Sequence, residues 1–220
     1  MRSVIFDLDG TLADTSADLV AAANSCFRRL GLGDLLDPAR DAATALRGGK
    51  AMLRLGFSRV EGFGDTAVEE EYPLLIEAYG AALAVHSRLY PGAVEAAQAL
   101  RAAGYTLAIC TNKPEGLAVR LMEELGEAET FGPIVGADTL AARKPDPAPF
   151  HEAVARAGGT AGRACLVGDS VTDRETARAA QAPSLLVTFG PAGGDMAALQ
   201  PEALVPSFAA LPALVEELSL

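Results

Sequence analysis

MRSVIFDLDGTLADTS, residues 1–16, sets two carboxylates, Asp7 and Asp9, two positions apart directly after the apolar run Val4-Ile5-Phe6. The run reads as a short buried strand, and Gly10 ends it. Residues two apart in an extended chain point to the same side, so Asp7 and Asp9 converge while Leu8 turns away. Like charges held together repel, and such a pair is stable only beside a cation, a shared proton or a strong donor. The opening stretch therefore calls for a metal or a proton.

Beyond residue 14 the period changes. Leu19, Val20, Ala23, Phe27 and Leu30 recur at helical spacing, Thr15-x-x-Asp18 has the form of a capping box, and Gly31 is a stop. Further helices are predicted over 38–46, 49–57 and 67–85, with no strand before residue 100. From there strand and helix alternate: YTLAIC at 105–110, PIVGA at 133–137, ACLVG at 164–168 and SLLVTF at 184–189. That alternation argues for a parallel sheet covered on both faces. The predicted organisation is an α/β, Rossmann-like core of residues 1–13 and 87–220, with a helical cap of residues 14–86 inserted after the Asp pair. Ligands bind such sheets at the carboxyl ends of strands. Four of the five predicted strands end in Asp7, Thr111-Asn112-Lys113, Asp138 and Asp169.

Composition narrows the partners. With 220 residues, 50% of them hydrophobic, a full core is easily buried. A formal charge of -11 leaves no Lys/Arg stripe for a nucleic-acid backbone, so any phosphate must be met locally. Lysine occurs only at Lys50, Lys113 and Lys144, each beside Gly, Asn or Pro, and this scarcity gives each one weight. Cys26, Cys110 and Cys165 are far apart in apolar segments and read as reduced core thiols. The first strand begins by residue 3 and no apolar run approaches membrane-spanning length, so the expectation is a soluble cytoplasmic protein with no membrane partner, a monomer or homodimer.

DLDGT at 7–11, CTNKP at 110–114, RKPDPAPF at 143–150 and LVGDSVTD at 166–173 form four polar clusters at strand ends. Their order closely resembles that of the four motifs of the haloacid dehalogenase superfamily of phosphotransferases. TNKP and KPDPAPF are most similar to its phosphoglycolate phosphatase group. The resemblance spans nearly the whole chain and implies a phosphatase of a small phosphorylated metabolite, phosphoglycolate first among the candidates.

The residues themselves suit those roles. Asp7, the first side chain past its strand, is the best-placed nucleophile, since a carboxylate can accept a phosphoryl group. Asp9 is the candidate acid and base, protonating the leaving alkoxide and then activating water. Asp169 offers a hard oxygen ligand, and Asp173 shares its face if a helix begins there; Mg2+ suits that set. The resemblance adds the main-chain carbonyl of Asp9 as a metal ligand. Four carboxylates, a divalent cation and Lys144 leave one negative charge, which a proton on Asp9 cancels. Lys144 then offsets charge from the substrate, and donors at Gly10, Thr11, Thr111 and Asn112 face its phosphate oxygens.

Each cluster has a plainer reading: a turn, a helix cap, a proline loop around a solvated lysine, an acidic first helical turn. Four in order at strand ends favour chemistry. Asp9 favours phosphate esters, because by the resemblance dehalogenases and phosphonate hydrolases lack it. The alternatives are a mutase of the β-phosphoglucomutase kind and a non-catalytic phosphate sensor, the latter disfavoured because Asp7 and Asp9 are both intact. In the cap, Arg47 is the candidate for a substrate carboxylate and Lys50 the second choice. His86 and His151 have no metal-ligand spacing and take no role. Where relatives commonly carry Gly in an AAG segment, this chain has Ala179-Ala180-Gln181-Ala182, so the local turn is expected to differ.

Overall fold

The computed structural model describes residues 1–190, 196–218 and 220. In chain order its elements begin with β1 (Ser3–Phe6), β2 (Ala13–Asp14), α1 (Ser16–Arg29), α2 (Pro38–Ala45), α3 (Gly49–Phe57), α4 (Asp65–Ala81) and β3 (Arg88–Leu89). There follow α5 (Ala93–Ala102), β4 (Thr106–Cys110), α6 (Glu115–Glu124), β5 (Ile134–Val135), α7 (Ala148–Arg156) and β6 (Ala164–Gly168). Last come α8 (Val171–Ala179), β7 (Ser184–Val187), β8 (Ala203–Val205) and α9 (Leu211–Glu217). The chain divides into two compact units, Met1–Ala13 with Leu89–Leu220, and Asp14–Arg88.

The larger unit is built on a six-stranded sheet in the order β5-β4-β1-β6-β7-β8, parallel throughout. Every residue of β1, β6 and β7 is buried, as a sheet covered on both faces requires. On one face Ile5, Ala108 and Leu166 pack with Phe150 and Ala153 of α7. The strand order reverses beside β1, with β4 on one flank and β6 on the other, and this is where such sheets open a crevice for ligands. The smaller unit is helical, α1 to α4, with Val20, Phe27, Met52, Leu53 and Leu75 in its core. A separate two-stranded ribbon pairs β2 with β3.

The structure departs from the sequence expectations in five places. A sixth strand, β8, went unread because Pro201 and Pro206 bracket only three residues; prolines are tolerated there because the strand lies at the sheet edge. β2 and β3 fall before residue 100 but are two residues each, too short for any periodicity. The Thr15-x-x-Asp18 capping box does not form: Thr15 makes no side-chain cap, and Asp14 instead accepts from the Ser16 N–H. Asp18 is buried and accepts from the backbone N–H groups of His86 and Ser87, and α4 ends at Ala81 rather than at residue 85. Finally, the turn after α8 is kept. Gln181 takes the left-handed conformation itself, at φ 54, and the Ala182 N–H closes on Ala177 O at 2.9 Å.

Candidate active site

Register brings the polar clusters to one level. Phe6 is paired with Ile109 on one side and Val167 on the other, so Asp7, Thr111 and Asp169 emerge together past β1, β4 and β6. The Asp7 N–H still bonds Val167 O at 2.8 Å, which fixes its backbone to the sheet. Beyond β6 the chain turns into α8, where Ser170 and Asp173 form a capping box. Gly168 makes this turn feasible, because a Cβ there would lie 2.3 Å from Asp173 Cγ.

Lys144 ties the cluster together. Its ammonium donates to Asp173 Oδ1 at 2.7 Å and lies 2.9 Å from Asp7 Oδ1. The second contact is an ion pair, and Asp7 Oδ1 accepts no hydrogen bond among the described residues. The Lys144 side chain is 2% exposed and that of Asp173 is fully buried. Asp173 Oδ2 accepts from the N–H groups of Asp169 and Ser170, so this one carboxylate both caps α8 and holds the lysine. Thr11 Oγ1 donates to Asp169 Oδ1 at 3.0 Å. One oxygen from each of Asp7, Asp169 and Asp173 lies within 4.8 Å of the others.

Three acids against one ammonium leave negative charge uncompensated. Burial, with Asp173 and Asp9 adding to it, pushes the Asp7 carboxyl up to about 6 despite the Lys144 ammonium. Asp169 is raised well above the usual carboxylate range by burial and by the charges of Asp173 and Asp7. Lys144 is held strongly protonated, because the attraction of Asp173 and Asp7 outweighs its burial.

The three acids thus converge at the crevice where the strand order of the parallel sheet reverses. A family model for haloacid dehalogenase-like hydrolases matches residues 1–181. The chain belongs to that family. It is 42% identical over 218 residues to the phosphoglycolate phosphatase of Agrobacterium fabrum, covering 97% of this chain and 92% of that protein. One similar solved structure, described as a predicted phosphoglycolate phosphatase from Haemophilus somnus, aligns with TM-score 0.84 and 25% identity over 100% of this chain and 98% of that one. Another, CbbY from Rhodobacter sphaeroides in complex with phosphate, aligns with TM-score 0.78 and 25% identity over 98% and 99% of the two chains. The chain is a haloacid dehalogenase-like phosphatase of the phosphoglycolate phosphatase-like kind.

In this phosphatase the remaining site residues are distributed unevenly. Thr111 Oγ1 accepts from the Lys113 N–H at 3.2 Å, which leaves its own proton to donate. The Asn112 side-chain amide donates to Lys144 O at 3.0 Å and so steadies the loop that carries the lysine. Gly10, at φ 82, gives its N–H to Ala13 O, and the Thr11 N–H goes to Leu8 O, so both close the turn after the Asp pair. Asp138 is drawn away from the cluster and accepts from the Glu115 N–H at the start of α6.

Lys113 is the residue that sequence reasoning left without a role. Its ammonium, 3% exposed by side chain, donates to Asp9 Oδ1 at 2.8 Å and Oδ2 at 2.9 Å. The sequence charge count left this ammonium out: two ammonium groups, not one, stand among the four carboxylates. The signal was present in the scarcity of lysine and in the position of Lys113 past a strand.

The donor set fits a hard divalent cation. Asp7, Asp169 and Asp173 are hard oxygen donors that converge, Asp7 and Asp169 are raised by burial and by the charges of neighbouring acids, Asp173 among them, and a divalent ion would offset that charge. In the helical unit, Lys50 is engaged with both oxygens of Glu69 at 2.8 and 2.6 Å and lies 5.2 Å from the Tyr72 ring. Arg47 is exposed just past α2 and has no ion pair among the described residues.

Proposed function

We propose that this phosphatase hydrolyses a small phosphorylated metabolite, phosphoglycolate first, with Mg2+ and through an aspartyl phosphate on Asp7. The observation that carries the reading is Asp7 itself: a backbone-fixed carboxylate raised to about 6, with a buried ammonium at 2.9 Å and two further acids converging on it. Asp7, Asp169, Asp173 and the Asp9 main-chain carbonyl would hold Mg2+, which when bound neutralises charge on the phosphoryl oxygens.

An Asp7 oxygen attacks phosphorus, the bond from phosphorus to the leaving oxygen breaks, and Asp9 gives that oxygen its proton. A water oxygen then attacks phosphorus while Asp9 takes its proton, and Asp7 departs as a carboxylate, releasing inorganic phosphate. Lys144 meets charge on the phosphoryl group in both halves, and the Thr111 hydroxyl donates to it. Asn112 serves by holding the Lys144 loop, and Thr11 by orienting Asp169.

Residues 14–88 act in this reading as the cap that reads the rest of the substrate. Arg47, without an ion pair among the described residues, is the group for a carboxylate; Lys50, committed to Glu69, is second.

The test is phosphate release over phosphoglycolate, sugar phosphates and nitrophenyl phosphate, with Arg47→Ala beside wild type. Release should be fastest on phosphoglycolate, stop with chelator and return with Mg2+. Arg47→Ala should lose about tenfold or more on phosphoglycolate alone, as for one charged hydrogen bond. Isomerisation of a sugar phosphate without phosphate release would contradict the reading.

A further inference from the structure

Lys113 is a buried ammonium outside the assigned machinery, and its placement is closely determined. Its N–H donates to Thr111 Oγ1, its carbonyl accepts from the Ala137 N–H at 2.9 Å, and the next helical N–H, of Glu115, is taken by Asp138 Oδ1 at 2.7 Å. The backbone is thus clamped between the ends of β4 and β5. From there the side chain reaches both oxygens of Asp9, whose side chain is 18% exposed. An ordinary loop lysine would stay in water, since an ammonium buried to this extent costs several kcal/mol unless a partner offsets it.

The bidentate contact is incompatible with proton delivery. A carboxyl that hands a proton from one oxygen to a leaving group cannot present that same oxygen to the ammonium. Its second oxygen remains available to Lys113. One contact therefore opens in the reaction while the other persists, and the persisting contact decides where the working oxygen points. We infer that Lys113 is the positioning residue of Asp9, a fixed pivot that keeps one carboxylate oxygen while the other turns to the reacting oxygen. The inference rests on the reading of Asp9 as the proton carrier. Lys144 meets the phosphate, and Lys113 serves the proton.

Wild type, Asp9→Asn, Lys113→Met and the double variant are to be compared, each with saturating Mg2+, on phosphoglycolate and on nitrophenyl phosphate, whose leaving group needs no proton. With both substrates read as the first, single-turnover release of the leaving group, Lys113→Met should slow release from phosphoglycolate by about tenfold or more and change nitrophenol release and KM by no more than about threefold. The double variant should be within about threefold of Asp9→Asn, because a residue acting through Asp9 has nothing left to position. Equal loss on both substrates, or losses that multiply in the double variant, would overturn the inference and assign Lys113 to the fold or the phosphate. If Asp9→Asn itself spares neither substrate, the reading of Asp9 as the acid falls first and takes the pivot with it. Should Lys113→Met fail to fold, the double variant, whose facing pair is neutral, decides alone: a further loss beyond Asp9→Asn overturns the inference.

Discussion

Asp41 in the helical unit and Asp7 in the sheet unit are both buried carboxylates, and their electrostatics run in opposite directions. Arg59 donates to both oxygens of Asp41, at 2.8 and 2.7 Å, and holds its carboxyl down at about 2. Asp7 is pushed up to about 6 by burial, with other acids adding to the effect and a single ammonium only partly opposing it. A carboxylate that holds the fold is matched by donors on the spot. Asp7, the proposed nucleophile, is instead kept by its backbone in surroundings that disfavour its charge, as groups poised for chemistry often are.

Asp7→Asn should break the comparison most visibly. Turnover should fall on the order of 10⁴-fold or more, the scale of losing a nucleophile. The metal-free protein should nonetheless gain stability near neutral pH, by up to about 3 kcal/mol, because about two pKa units of unfavourable charge burial are removed. Phosphate release and thermal unfolding in chelator check the two effects. A less stable Asp7→Asn protein would mean that the site is not held against its own charge.

The pH dependence follows with opposite signs. Asp7, raised on folding, contributes stability that is present below its unfolded value of 3.8 and is lost as pH rises through about 6. Asp41, lowered on folding, contributes stability present above 3.8 and lost as pH falls through about 2. Mg2+ should therefore raise Tm more at about pH 7.5 than at about pH 5, where it must displace protons from the site. Equal shifts at both pH values would contradict this.

Asp41→Ala should cost about 2 kcal/mol, two hydrogen bonds to a charged group discounted for the part-exposed Arg59, and should leave the Mg2+ shift unchanged. Denaturant unfolding with and without Mg2+ separates the two. The smallest effect expected is from Gln181→Gly, which relieves a side chain held at φ 54 and should add roughly 0.5 to 1 kcal/mol.

The sheet was legible in the sequence because buried parallel strands are apolar runs and their ends are polar, which placed Asp7, Thr111 and Asp169 on one edge before any coordinates. What eluded the sequence were contacts between residues far apart in the chain. Nothing local marks Lys113 as the partner of Asp9, 104 residues away, or Asp18 as the acceptor for His86 and Ser87 rather than a helix cap. The charge count left out Lys113 for the same reason. Arg47 is harder still, because a cation at a helix end looks alike whether it meets water or a substrate.

The most direct test of the account is where the phosphoryl group goes. Asp9→Asn, which keeps the nucleophile but lacks the base for water attack, is mixed with nitrophenyl phosphate and Mg2+, quenched with borohydride, which reduces an acyl phosphate to an alcohol, and digested for mass spectrometry. The account predicts homoserine at position 7 and at no other acidic position. Reduction at Asp169 or Asp173, or turnover with no reducible intermediate, would contradict it.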